Sequence, residues 1–118
     1  MELRNLNRFM KIKRFEDILV WKKAIKFSLK VYRAFRNCKD YSFKDQIFRA
    51  TVSVSNNIAE GFEKNTDRDF VKFLCISKGS CGESRSMLYL AKSMNYIDQE
   101  CFSDLYGDSV EISKCYLV

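Results

Sequence analysis

Phe70, Leu74, Ser77, Cys81, Ser84, Leu88 and Ala91 follow one another at steps of 4-3-4-3-4-3. Such a repeat holds one face of an α-helix against its neighbours for about six turns. A helix of that length buries its seam best against other long helices, so the constraint reaches past its own residues. The rest of the chain accords with it. No proline and four glycines in 118 residues leave little turn chemistry, which suits a few long helices with short joints. This length implies one domain, and 47% hydrophobic with 31% charged residues marks a folded chain rather than a disordered one.

The periodicity predicts four helices. The first runs from Glu16 to Asn37, with Ile18, Trp21, Ile25, Ser28, Tyr32 and Phe35 as its inner stripe. A second apolar set, Val20, Ala24, Phe27 and Val31, keeps the same period further round. Ser42 with Asp45 forms a capping-box-like start for helix two. Its inner face reads Phe43, Ile47, Ala50, Val54, Asn57, Ile58 and Gly61, with Gly61 near the helix end and Phe48, Val52 and Ala59 on another side. Thr66 with Asp69 caps helix three, which extends to Met94. Gly79 and Gly82 each cost that helix about 1 kcal/mol against alanine, a cost that close approach of a neighbouring backbone would justify. Asn95 closes it, Asp98 caps helix four, and Phe102, Leu105, Ser109, Ile112 and Tyr116 form the last stripe. Short connections predict an all-α, antiparallel up-down-up-down four-helix bundle over residues 15–118, preceded by a basic, disordered extension over 1–14. Two-sided apolar helices further predict a homo-oligomer, which would bury the second set.

Few catalytic classes survive inspection. The chain has no histidine, which removes the Glu-x-x-His motifs of di-iron bundles and the base of a serine hydrolase. No Gly-rich phosphate loop is present, and "GSCGES" lies mid-helix without the strand a nucleophile turn requires. Glu60 and Glu83 can approach across helices two and three, but two carboxylates alone make a poor metal site. Cys38, Cys75, Cys81, Cys101 and Cys115 are odd in number and contain no C-x-x-C pair, so reduced and mostly buried thiols are expected. Without a signal-peptide core or a membrane-length apolar run, the expectation is a soluble cytoplasmic protein with no enzyme activity, cofactor, metal or membrane partner.

Charge is more informative. The net charge is +6, yet residues 1–49 hold 14 Lys and Arg against 5 Asp and Glu, a balance of +9. Residues 50–118 hold 7 against 10, a balance of −3. Lys22, Lys26, Lys30, Arg33 and Arg36, flanked by Lys23, make a basic ridge along helix one, which carries almost no acid after Asp17. Unpaired like charges at i and i+4 oppose a helix mildly, and a partner phosphate relieves that repulsion. The ridge therefore predicts backbone binding to RNA or DNA without base readout, while Tyr32 and Phe35 are expected in the core. In helix two, Arg49, Ser53, Asn56 and Glu60 share a polar strip, and Asn57 falls at the edge of the inner face, where one asparagine can set register.

Four runs carry a further signal: "RFEDILVWKKA" (14–24), "FRATVSVSNNIAEGFEK" (48–64), "DFVKFLCISKGSCGES" (69–84) and "AKSMNYI" (91–97). Together they resemble the four-helix bundle proteins encoded in 23S rRNA intervening sequences, the S23 family, over nearly the whole chain from Phe15. The family's central Asn-Ile-Ala-Glu-Gly stands here as Asn57, Ile58, Ala59, Glu60 and Gly61, followed by Phe62. Its Gly-Ser-x-x-Glu pattern stands as Gly79, Ser80 and Glu83. Two positions depart: Ser55-Asn56 replaces the usual Pro-Ser, and Phe48-Arg49 replaces an Arg-Arg pair, which leaves Arg49 as the remaining cation there.

The resemblance implies a homopentamer with no catalytic residues and no cofactor. It extends to the accessory proteins of diversity-generating retroelements, basic pentamers that bind nucleic acid and a reverse transcriptase. It also implies Met10 as the natural start. The leading expectation is thus an oligomeric accessory protein that binds nucleic acid through Lys22, Lys23, Lys26, Lys30, Arg33, Arg36 and Arg49. The alternative is a scaffold that recruits a protein partner without touching nucleic acid.

Overall fold

The computed structural model describes residues 12–116. The expected disordered extension over 1–14, as far as residue 11, and the start at Met10 lie outside the described residues; of its last three residues, Ile12 packs against the core and Arg14 pairs with Asp17. A 3-10 turn at Phe15–Asp17 leads into α1 (Leu19–Ala34), then α2 (Tyr41–Phe62), α3 (Asp67–Ser93) and α4 (Gln99–Lys114). No strand forms among the described residues. The long dimension, 45 Å, is close to the ~40 Å that the 27 residues of α3 span.

Each helix starts and stops for identifiable reasons. Helix α1 is shorter than its period suggests: Phe15 packs edge-on against Trp21 with ring centroids 5.3 Å apart, and the chain turns through the 3-10 element before helix begins. The cap of α2 is Asp40 rather than Ser42, and its carboxylate accepts from the Phe43 N–H at 3.2 Å. The same carboxylate accepts from the Tyr96 hydroxyl at 2.5 Å, tying this cap to the α3–α4 connection. Thr66 caps α3 through the Asp69 N–H at 3.1 Å, and Asp98 caps α4 through the Cys101 N–H at 2.8 Å, both as expected.

Asn95, with φ of 61°, ends α3 in a Schellman motif. The Asn95 N–H reaches the Lys92 carbonyl at 3.0 Å, and the Tyr96 N–H reaches that of Ala91 at 2.8 Å. Asparagine tolerates this left-handed conformation better than most residues do.

Helix α1 packs on α2 and α4, and α3 packs on α2 and α4, so the four close around one core. All seven seam residues of α3 are buried. The inner face of α2 is buried as expected, with Asn57 half-buried at its edge. In the first helix the expected inner stripe is only half buried, with Ile18, Ser28 and Phe35 in the core, and the second apolar set joins them. Val20, Ala24, Phe27 and Val31 enter the core together with Ser28 and Phe35, whereas Trp21 and Ile25 are half-buried and Tyr32 is 51% exposed. The cysteines also depart from expectation. Cys81 alone is fully buried, Cys75 is exposed, and all five thiols are free.

Close approach of backbones occurs at Gly61, not at Gly79 or Gly82. A Cβ on Gly61 would stand 2.6 Å from the Phe73 Cβ and 3.0 Å from the Phe70 ring, whereas one on Gly79 would meet nothing within 4 Å. Small hydroxyls fill the same role along other seams. Ser77 donates across from α3 to the Val54 carbonyl at 2.7 Å and bonds the Tyr116 hydroxyl of the chain's last turn. Thr51, Ser84 and Ser109 instead return their buried hydroxyls to their own helices, at 2.7, 2.9 and 2.7 Å.

Candidate nucleic-acid interface

The ridge of α1 divides into two rows once α4 is beside it. The inner row, Lys23 and Lys30, lies against acids of α4. Lys23 pairs with Glu111, and Lys30 lies 2.8 Å from Asp104 and 2.6 Å from Asp108. Each lysine keeps its charge firmly. The hydrogen bond to Glu111 raises the Lys23 pKa, while for Lys30 burial opposes the charge and the bonds to Asp104 and Asp108 outweigh it. Glu111 is correspondingly held below its ordinary value by the bond from Lys23. These three acids recur at steps of 4 and 3 in α4, a row legible from the sequence, but its partners stand 74 to 88 residues away.

The outer row is different. Lys22, Lys26, Arg33 and Arg36 are exposed and form no ion pair with any described residue. Arg49 on α2 is exposed in the same way. The expected site residues therefore separate into Lys22, Lys26 and Arg33 exposed on α1 with Arg36 in the turn after it, two neutralised lysines, and Arg49 on the neighbouring helix.

Between α1 and α2 the surface holds a groove that includes Tyr32, Lys44, Asp45 and Phe48. The Tyr32 and Phe48 rings meet with centroids 5.5 Å apart. The Lys44 ammonium donates to the Arg36 carbonyl at 3.0 Å, which pins it at the groove's end. Along α2 the surface continues past Phe48, Arg49, Val52 and Asn56. Tyr32, expected in the core, thus belongs to this surface. Its period with Trp21 and Ile25 fits either location, so only the packing of neighbouring helices places it.

The remaining motif residues serve the seam between α2 and α3. The Asn57 amide donates to the Ser53 carbonyl at 2.8 Å and the Ser53 hydroxyl at 2.9 Å, and that hydroxyl bonds Ser80 of α3 at 2.8 Å. Ile58 is fully buried, Ala59 is half-buried, and Gly61 supplies the close approach. Glu60 and Glu83 are exposed. No cluster of three His, Cys, Asp or Glu suited to a metal ion forms among the described residues. No helix among them is long and apolar enough to cross a membrane.

Comparison with known proteins agrees with this architecture. Among curated proteins none matches the chain. A solved structure matches with a TM-score of 0.80 and 25% identity, over 84% of this chain and 95% of that one. It is a protein of unknown function from the S23 ribosomal protein family of Bacteroides thetaiotaomicron VPI-5482. The family model described as 23S rRNA-intervening sequence protein matches residues 16–117. With nearly the entire chain matched by that model, and with the Asn57–Gly61 run serving the α2–α3 seam, the chain belongs to the 23S rRNA-intervening sequence protein family.

Proposed function

We propose that this protein is a non-enzymatic, cytoplasmic accessory protein whose bundle is antiparallel, up-down-up-down and homopentameric, and which binds the backbone of RNA or DNA. The observation that carries the binding is the contrast within α1. Acids of α4 pair directly with Lys23 and Lys30, while Lys22, Lys26, Arg33 and Arg36 stay exposed without a direct ion pair among the described residues, Lys26 lying at the edge of the Asp108 and Glu111 hollow. A helix that neutralises only its inner row keeps the outer one available for an external anion. The antiparallel order is supported by pairs that descend along one helix as they ascend the next. Phe62 meets Phe70 and Val54 meets Ser77, while Lys23 meets Glu111 and Lys30 meets Asp104. Self-association is supported by α3, where Ile76, Leu90 and Met94 are 44%, 53% and 42% exposed beside the uncrowded Gly79.

Binding of a labelled oligonucleotide by the purified protein tests this, measured as a function of salt. Affinity should fall steeply with ionic strength, and Lys22→Glu with Lys26→Glu, Arg33→Glu and Arg36→Glu should abolish it. Salt-independent or absent binding would overturn the reading. Sedimentation should give a species of about 70 kDa, five times the 13.9 kDa chain.

A second reading, a scaffold for a protein such as a reverse transcriptase, is favoured by the α3–α4 surface. There Tyr89 is 53% exposed and packs with Phe102 and Tyr106 at 5.2 and 5.6 Å. Capture from nuclease-treated lysate separates the two, since a scaffold keeps its partner when nucleic acid is removed.

A further inference from the structure

We infer that the α1–α2 groove is a stacking site for the unpaired bases of a single strand, with Tyr32 as its platform; this rests on reading the outer row of α1 as a nucleic-acid interface. Tyr32 is 51% exposed beside a cationic row, and among the exposed apolar residues of α1 it is the aromatic one, Leu19 and Leu29 being aliphatic at 62% and 48%. Phe48 packs against the Tyr32 ring at 5.5 Å and steadies it without covering it. A steadied, half-exposed ring beside cations is the combination that single-strand binders use, since every base offers a π-face while charge tracks the backbone.

The surrounding charges suit that ligand. Arg33 directly follows Tyr32, Arg36 stands in the turn just past the end of α1, Lys44 lines the groove, and Arg49 follows Phe48 on α2. Asp45 is the one carboxylate among the groove's lining residues. A duplex hides its base faces within its own stack, so it can use the cations but not the ring. The ligand is therefore single-stranded RNA or DNA, held by phosphate contacts to the outer row and by one or more bases on Tyr32.

The α3–α4 surface supplies an internal control. Tyr89 is 53% exposed and also belongs to an aromatic cluster, but it sits on the helix that does not pack against α1. Fluorescence anisotropy with a labelled single strand, and with the same sequence as a duplex, tests the assignment on the full chain. Tyr32→Ala should weaken single-strand binding roughly five- to hundredfold and leave duplex binding unchanged. Tyr32→Phe should retain the wild-type affinity, and Tyr89→Ala should change neither.

Photocrosslinking of the wild-type chain to an iodouracil-containing single strand gives a readout that needs no variant. The crosslinked peptide should contain Tyr32. Equal loss of both ligands on Tyr32→Ala, or a crosslink mapped only to Tyr89, would overturn the stacking site while leaving backbone binding intact. Binding of neither ligand by the wild-type oligomer would overturn both. A fall in oligomer mass on Tyr32→Ala, with nucleic-acid binding unaltered, would show that a second copy covers the groove.

Discussion

The α2–α3 and α1–α4 seams hold together by different means. The first is the more extensive and is specified by shape: Gly61 admits Phe70 and Phe73, Ser77 reaches the Val54 carbonyl, and Ser53 meets Ser80. The second is bridged at its rim by Lys23, Lys30, Asp104, Asp108 and Glu111. Shape cannot be exchanged without repacking, whereas surface charge can be moved at little cost in stability. Asn57, Ile58 and Gly61 of the family motif accordingly fall on the shape-specified seam, and the candidate interface falls on the helix whose rim carries the charged pairs.

The largest effect should come from Gly61. Gly61→Ala places a Cβ 2.6 Å from that of Phe73, and a side chain's first carbon cannot swing aside. A gain of ~1 kcal/mol in helix propensity offsets part of the repacking cost. A net destabilisation of about 2 kcal/mol is expected in urea unfolding. Stability equal to wild type would show that the α2–α3 seam is looser than its geometry implies.

Next comes Ser77, whose hydroxyl serves Val54 and Tyr116 at once. Ser77→Ala should cost about 1–2 kcal/mol, because it leaves the buried Tyr116 hydroxyl without that partner. Tyr116 also gives the seam a pH dependence. Burial pushes its pKa well above the ordinary 10.0, against the smaller lowering effect of the Ser77 bond. A raised folded value means that the contribution is complete below pH 10 and is lost as pH rises above it. Tyr116→Phe should flatten this alkaline decline, which thermal melts between about pH 9 and 11 would record, roughly one unit either side of the ordinary value.

How far the sequence reveals these seams depends on whether a residue's partner is local. The α3 seam was legible because its 4-3 spacing runs unbroken and every member is buried. The two stripes of α1 have the same period and comparable bulk, so only the neighbouring helices select Val20, Ala24, Phe27 and Val31 over Trp21, Ile25 and Tyr32. Asp40 and Ser42 are both good caps. The choice follows the Tyr96 hydroxyl, 56 residues away. Composition alone located the ridge on the first helix, but its division into matched and free rows depends on acids that arrive last in the chain.

Gly79 provides a smaller test of the same contrast. With nothing within 4 Å of its Cβ position, Gly79→Ala should stabilise the isolated chain by about 0.5–1 kcal/mol through helix propensity. Under the proposed self-association through α3, sedimentation of the same variant should show a weakened oligomer, since a methyl group on this face would hold a second chain away. A variant that gains stability and keeps its oligomer would move the self-association surface away from α3.

The smallest effect on stability should come from the charged seam, and it is the most informative about function. Asp104→Asn with Asp108→Asn removes both partners of Lys30 at a cost of roughly 0.5 kcal/mol or less, because the pairs stand at a screened surface. The freed lysine joins the outer row. Nucleic-acid affinity should rise, and the slope of log K against log salt should steepen by about 0.7–0.9, the equivalent of one added phosphate contact. An unchanged slope would confine the footprint to Lys22, Lys26, Arg33 and Arg36, and would make the α4 acids a rim that the ligand does not cross. A steeper slope would make them a carboxylate substitute that occupies Lys30 until a phosphate competes for it.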